Sequence, residues 1–236
     1  MVNAMLRKVF AIGLLCAAAD GFAMGGREPL AAAVLVDELE IQERSGGSAQ
    51  DWEIAAMAQR DLSGLWLVSE GKRAGGRTHE HELRGYFSRA VAPYWDVTLG
   101  WRGDLGPGPE RHWLAAGIDG VAPFHVDTAL TLFVGDEGRS ALRVKLAKEL
   151  MVTQRWQLLP EITANFHGHN DPAAATGSGL SSLEAEVRLA YRVTPAVRPY
   201  IGLGWSQRYG RTADYQRLEG NGVEGGQVML GIRFWL

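Results

Sequence analysis

The side chains of this 236-residue chain best suited to chemistry are its histidines, and four of the six form two His-x-His pairs, His79 with His81 and His167 with His169. In an extended backbone, residues two apart point to the same side, so each pair would offer two imidazoles to one borderline divalent ion such as Cu(II) or Zn(II). Glu80, Glu82, Asp136 and Asp171 are the carboxylates that would add oxygen ligands or orient the rings. A bare His-x-His is a weak motif, and histidines placed among polar loop residues are the plainer reading on spacing alone. Nucleophilic chemistry has less support. The sole cysteine is Cys16, Ser178 and Ser181 lie in or beside a Gly-rich stretch, and no histidine pairs clearly with a serine on an apolar face.

The elements that must position these residues show best in the tail. Val228, Leu230, Ile232, Phe234 and Leu236 fall on one side of an extended strand, and Gln227, Met229, Gly231, Arg233 and Trp235 on the other. Period-two alternation recurs in about eleven further segments, about twelve with the last. Trp95-Val97-Leu99-Trp101 lies opposite Asp96-Thr98-Arg102, and Phe124-Val126-Thr128-Leu130-Leu132-Val134 lies opposite His125-Asp127-Thr131. Leu142-Val144-Leu146 opposes Arg143-Lys145, and Leu183-Ala185-Val187-Leu189 opposes Glu184-Glu186-Arg188. The first segment, Val34 to Glu43, is the least regular, because Asp37 and Glu38 blur its faces. An even number of such strands predicts an all-β chain, a transmembrane antiparallel β-barrel of about twelve strands. Apolar residues would meet lipid, while charges of both signs would pair inside and partly fill the lumen. A soluble sandwich or lipocalin-like barrel would reverse the facing.

The connections sort into two kinds. Those at 60–62, 90–92, 120–122, 151–153 and 194–196 are tight, while 45–50, 71–77, 103–110, 168–180 and 210–225 are longer and rich in Gly, Pro and polar residues; 135–138 is short. Outer-membrane barrels carry short periplasmic turns and longer outer loops, which puts five of the six histidines at the outer rim and both termini in the periplasm. His125, beside Asp127, is expected in the lumen near the periplasmic end. Met57 and Met229 are expected inward, as packing rather than as a thioether path. Tyr86, Trp95, Trp101, Trp113, Trp156, Tyr200 and Trp205 are expected as interface anchors.

At the N-terminus, Arg7-Lys8 precede an apolar run from Val9 to Ala19, and Gly21 and Ala23 set a cleavage point before Met24. The expected layout is a signal peptide over 1–23, a short N-terminal segment over 24–32 and a barrel over 33–236. Leu15 before Cys16 is too large for a good lipoprotein site, so the mature chain carries no thiol. The net charge of −3 becomes −4 without residues 1–23, which argues against nucleic acid as a partner.

An ordered series of stretches resembles the copper resistance protein B family of bacterial outer-membrane proteins. It runs through Leu65-Trp66-Leu67, Gly76-Arg77-Thr78, Tyr86-Phe87-Ser88-Arg89-Ala90-Val91-Ala92-Pro93-Tyr94-Trp95-Asp96 and Gly106-Pro107-Gly108-Pro109. It continues through Gly120-Val121-Ala122-Pro123, Phe133 to Arg139, Leu150 to Arg155, Gly177 to Ser181 and Gly231 to Trp235. The resemblance implies a non-enzymatic barrel in the bacterial outer membrane, involved in copper resistance and copper homeostasis. Copper ion is then the metal bound or passed, with membrane lipid and periplasmic copper-handling proteins as partners. The spacing of the two His-x-His pairs at the expected outer rim makes His79, His81, His167 and His169 the expected metal residues. Family members commonly carry a Met- and His-rich segment before the barrel, whereas Met24 to Leu30 here offers one thioether. A general small-solute channel is the alternative, and a membrane-embedded hydrolase is third.

Overall fold

The computed structural model describes residues 30–44, 47–106 and 108–236, so the expected signal peptide lies outside the described residues. Thirteen strand segments follow in chain order: β1 (Ala31–Arg44), β2 (Gly47–Arg60), β3 (Ser63–Ala74), β4 (Arg77–Ala92), β5 (Trp95–Asp104), β6 (Arg111–Ala122) and β7 (Val126–Gly135), then β8 (Ser140–Ala147), β9 (Leu150–Met151), β10 (Trp156–His167), β11 (Gly179–Tyr191), β12 (Val197–Arg208) and β13 (Glu224–Trp235). β8 and β9 both pair antiparallel with β10 and form a single stave interrupted at Lys148-Glu149, which makes twelve staves. Every neighbour in sequence pairs antiparallel, and β1 closes the ring on β13. Val34 and Leu236 exchange two backbone hydrogen bonds at that seam, so no edge is left open and every stave satisfies its ladder on both sides.

The expected facing holds. Leu99, Leu132, Leu203 and Leu230 are 50–67 % exposed on the outer surface, while Gln157 and Met229 on inward positions are 0 % exposed. A soluble sheet would bury the first set. The period that selects the outward face leaves the inward one to charged side chains, and the result is a transmembrane antiparallel β-barrel.

Loop boundaries differ from expectation in one direction: strands run further than their glycines suggest. β3 continues through Gly71 to Ala74, because the Trp52 ring lies over Gly71 and occupies the space a Cβ would need. Gly103 lies under the Trp101 ring in the same way and remains within β5. An aromatic ring covering a strand glycine restores the packing the glycine lacks. The longest connection, 209–223, holds a nine-residue helix, α1 (Gly210–Leu218), and 168–178 holds a short 3-10 turn. The Thr212 hydroxyl accepts from the Gly177 amide at 2.8 Å, which joins these two loops over one mouth of the barrel.

His125 corrects its expected place. It sits in the 123–125 turn with φ 57°, exposed, rather than on the lumen wall. The expected interface aromatics divide. Trp101 and Trp156 stand on the outer surface, whereas Trp113 and Tyr200 are buried inside and Tyr86 stacks on Trp66 at 5.9 Å.

Candidate functional site

A cavity of about 680 Å³ opens at the mouth bordered by the longer loops. Twelve carboxylates and nine Lys or Arg side chains line it, so its walls carry a negative excess. They are arranged as ion pairs across the lumen. Glu82 on β4 receives both Arg143 guanidinium nitrogens from β8, at 3.1 and 3.0 Å, and also meets Arg84 at 3.1 Å and Arg102 at 2.9 Å. Phe133 is 2 % exposed and packs between the Arg102 and Arg143 guanidinium groups, 4.9 and 5.7 Å from its ring centre. The ring face is electron-rich and favours this stacking, which explains an apolar residue on a charged wall. Below this layer Arg188 pairs with Glu38 and Glu186, Lys145 joins Glu161 at 3.0 Å to Glu53 at 3.8 Å, and the Tyr200 hydroxyl donates to Glu40 at 2.8 Å.

Around the mouth, the four expected histidines are not equivalent. β4 carries a bulge opposite Lys72/Arg73, where Lys72 pairs with Glu80 but Arg73 pairs with Thr78. His79 is the extra residue, and period two fails between it and His81. His81 pairs with Gly71, and its Nε2 lies 3.3 Å from the Ser69 hydroxyl and its ring 6.0 Å from Trp52. Ser69 and Trp52 alternate with the lumen residues Glu70 and Glu53, so His81 belongs to the outer surface of the rim. His112 is likewise on the outer surface, stacked on Trp101 at 5.7 Å.

His167 ends β10 on the inner wall. Its Nδ1 is 2.9 Å from the Ser181 hydroxyl, which itself donates to the Asn165 carbonyl at 2.9 Å. His169 lies two residues on, exposed in the 168–178 loop, and with His79 and His81 it borders the same mouth. Among the described residues no group of three or more His, Cys, Asp or Glu side chains converges as a metal site. Asp171, expected as an oxygen ligand, is instead engaged by Arg111 from β6, at 2.9 and 3.2 Å. That guanidinium holds the Asp171 carboxyl below the usual carboxylate range. Glu82, expected beside the first histidine pair, is taken by its three arginines.

Sequence reasoning missed the Ser181 contact. β10 and β11 shift register between Asn165 and Phe166, since Asn165 pairs with Ser182 while Phe166 pairs with Leu180. Ser181 is the extra residue at this bulge and turns inward, 3 % exposed, beside Ser182. The one signal in the sequence was the Gly-rich run 177–180 just before it. The Ser–His pair has the wrong polarity for a nucleophile: the serine proton points to a carbonyl and not to the imidazole.

Residues 30–236 match the family described as Copper resistance protein B precursor (CopB). A Copper resistance protein B homolog from Pseudomonas syringae pv. tomato is 39 % identical over 201 residues, covering 85 % of this chain and 68 % of its own length. Copper resistance protein B from Escherichia coli is 34 % identical over 202 residues, covering 86 % and 68 %. Among solved structures, the NanC porin superposes with a TM-score of 0.57 at 14 % identity over 86 % of this chain and 99 % of its own. The KdgM porin gives 0.54 at 12 % identity, covering 86 % and 98 %. The porins share the barrel architecture alone, whereas the match in sequence runs through strands and loops alike, and the chain belongs to the copper resistance protein B family.

Proposed function

We propose that this barrel acts in copper tolerance at the bacterial outer membrane, taking copper ions at the mouth of its lumen through His167, aided by His169 and His79. The longer loops then face outward and the short turns and both chain ends face the periplasm, where copper-handling proteins would meet it. The observation that carries the reading is the single inward imidazole, His167, at the rim of a cavity with excess negative charge. Imidazole nitrogen is a good donor to Cu(II), and a negative funnel concentrates cations at its entrance.

Titration of the refolded protein with Cu(I), Cu(II) and Zn(II) tests this. His167→Ala is expected to weaken Cu(II) binding roughly tenfold or more, and the variant changing His79, His81, His167 and His169 together to abolish it and to lower copper tolerance of cells. Unchanged binding and tolerance in the fourfold variant would refute the reading. His81→Ala alone is expected to have a smaller effect than His167→Ala, because that residue holds an outward-facing position on the rim strand.

A general small-solute channel is the second reading, favoured by the size of the cavity. Conductance in a planar bilayer that is independent of copper and unaltered in the fourfold variant would point to it.

A further inference from the structure

Resting on the copper reading of His167, we infer that Ser181 is a positioning residue that fixes the His167 tautomer and presents a bare Nε2 as the metal donor. A serine hydroxyl has one proton, and that of Ser181 is spent on the Asn165 carbonyl, which can only accept. The 2.9 Å contact with His167 Nδ1 must then be made by an Nδ1–H donating to the Ser181 oxygen. A neutral imidazole with its proton on Nδ1 carries its lone pair on Nε2.

The surroundings make this arrangement rigid. Ser181 is buried, and it reaches the inner wall only because the β11 bulge turns it there. Asn165 is held from both sides: its amide nitrogen donates to Ser182 at 3.0 Å, and its side-chain oxygen accepts from Arg143 Nε at 3.0 Å. The same Arg143 spans the lumen to Glu82. The histidine is therefore anchored through two residues to the central ion pair of the barrel. Partners that orient a ligating histidine commonly alter metal affinity by about 10–100-fold.

The test uses the full barrel with labelled histidine, together with Ser181→Ala and Ser181→Thr. Nitrogen NMR of the metal-free protein reads the tautomer directly and needs no copper. The wild type is expected to show the Nδ1–H form of His167, Ser181→Ala to lose that preference, and Ser181→Thr, which keeps the hydroxyl, to retain it. Cu(II) titration is expected to show roughly 10–100-fold weaker binding in Ser181→Ala and near-normal binding in Ser181→Thr. An Nε2–H form in the wild type, or an unchanged tautomer in Ser181→Ala, overturns the inference about Ser181. Copper affinity unaffected by His167→Ala, with the tautomer behaving as stated, overturns the copper reading instead.

Discussion

Two residues of the 168–178 region show how neighbours decide what a polar side chain does. His167 meets the Ser181 hydroxyl, which on the inference above accepts from Nδ1–H and leaves Nε2 bare, while Asp171, four residues on, meets the Arg111 guanidinium and is committed to structure. The residue type was legible in both cases, but the partner was not, because both partners come from other strands. The Asp171 contact has a pH signature. Its carboxyl is held below its ordinary value, so its stabilising effect is complete above the unfolded value of about 3.9 and is lost as pH falls through the lower folded value. The backbone bonds between Asp171 and Thr176 report on it. Their amide exchange, once the intrinsic rate is divided out, is expected to be flat from neutral pH to about 5 and to open only below about 4. Arg111→Gln is expected to open the loop at neutral pH and remove the acid step. A loop that opens equally between pH 7 and pH 5 would show that something other than this pair fastens it.

At the scale of strands and turns, the sequence was most legible where side chains alternate without interruption, as in β5, β7 and β13, and least where a bulge or a covered glycine intervenes. Period two identifies faces only while the register holds, so one extra residue in β4 separated His79 from His81 and one in β11 joined Ser181 to His167. The glycines misled for a related reason. Gly71 suggests a turn, yet it is a strand position kept small so that Trp52 can lie flat over it. Gly71→Ala would drive a methyl into that ring and is expected to cost about 1–3 kcal/mol by overpacking. The same change in a Trp52→Ala background is expected to cost less, since the colliding ring is gone while the Glu80 backbone carbonyl, 2.8 Å from the added methyl, remains. Unfolding by denaturant across the four proteins gives the coupling. Equal costs in both backgrounds would mean that the ring does not set the size limit at this position.

For the whole barrel, charge in the lumen accomplishes what an apolar core does in a soluble protein. The alternation made this legible, since outward positions admit few charges and the inward ones had to hold them. That such charges pair across the lumen was expected, but which ones do was not legible, because β4 and β8 stand four staves apart and only closure brings Glu82 to Arg143. That contact crosses the lumen, and the walls around it carry a negative excess. The wild-type barrel is therefore expected to conduct weakly and to favour cations, read as the reversal potential in a salt gradient across a planar bilayer. Arg143→Ala removes that contact and one positive charge together. Glu82 keeps Arg84 and Arg102 as partners, which spares the variant the roughly 3–5 kcal/mol cost of a fully orphaned buried charge. Conductance is expected to rise and cation preference to sharpen. If the variant conducts no better, the obstruction lies elsewhere, for instance where α1 and the 168–178 loop join over the mouth; if it favours anions, the walls do not set the selectivity. On the copper reading, an ion entering the lumen would meet the His167 imidazole at the rim before the ion pairs, and because Arg143 also holds Asn165, which accepts from Ser181, Arg143→Ala is expected to alter both the obstruction and the support of that imidazole.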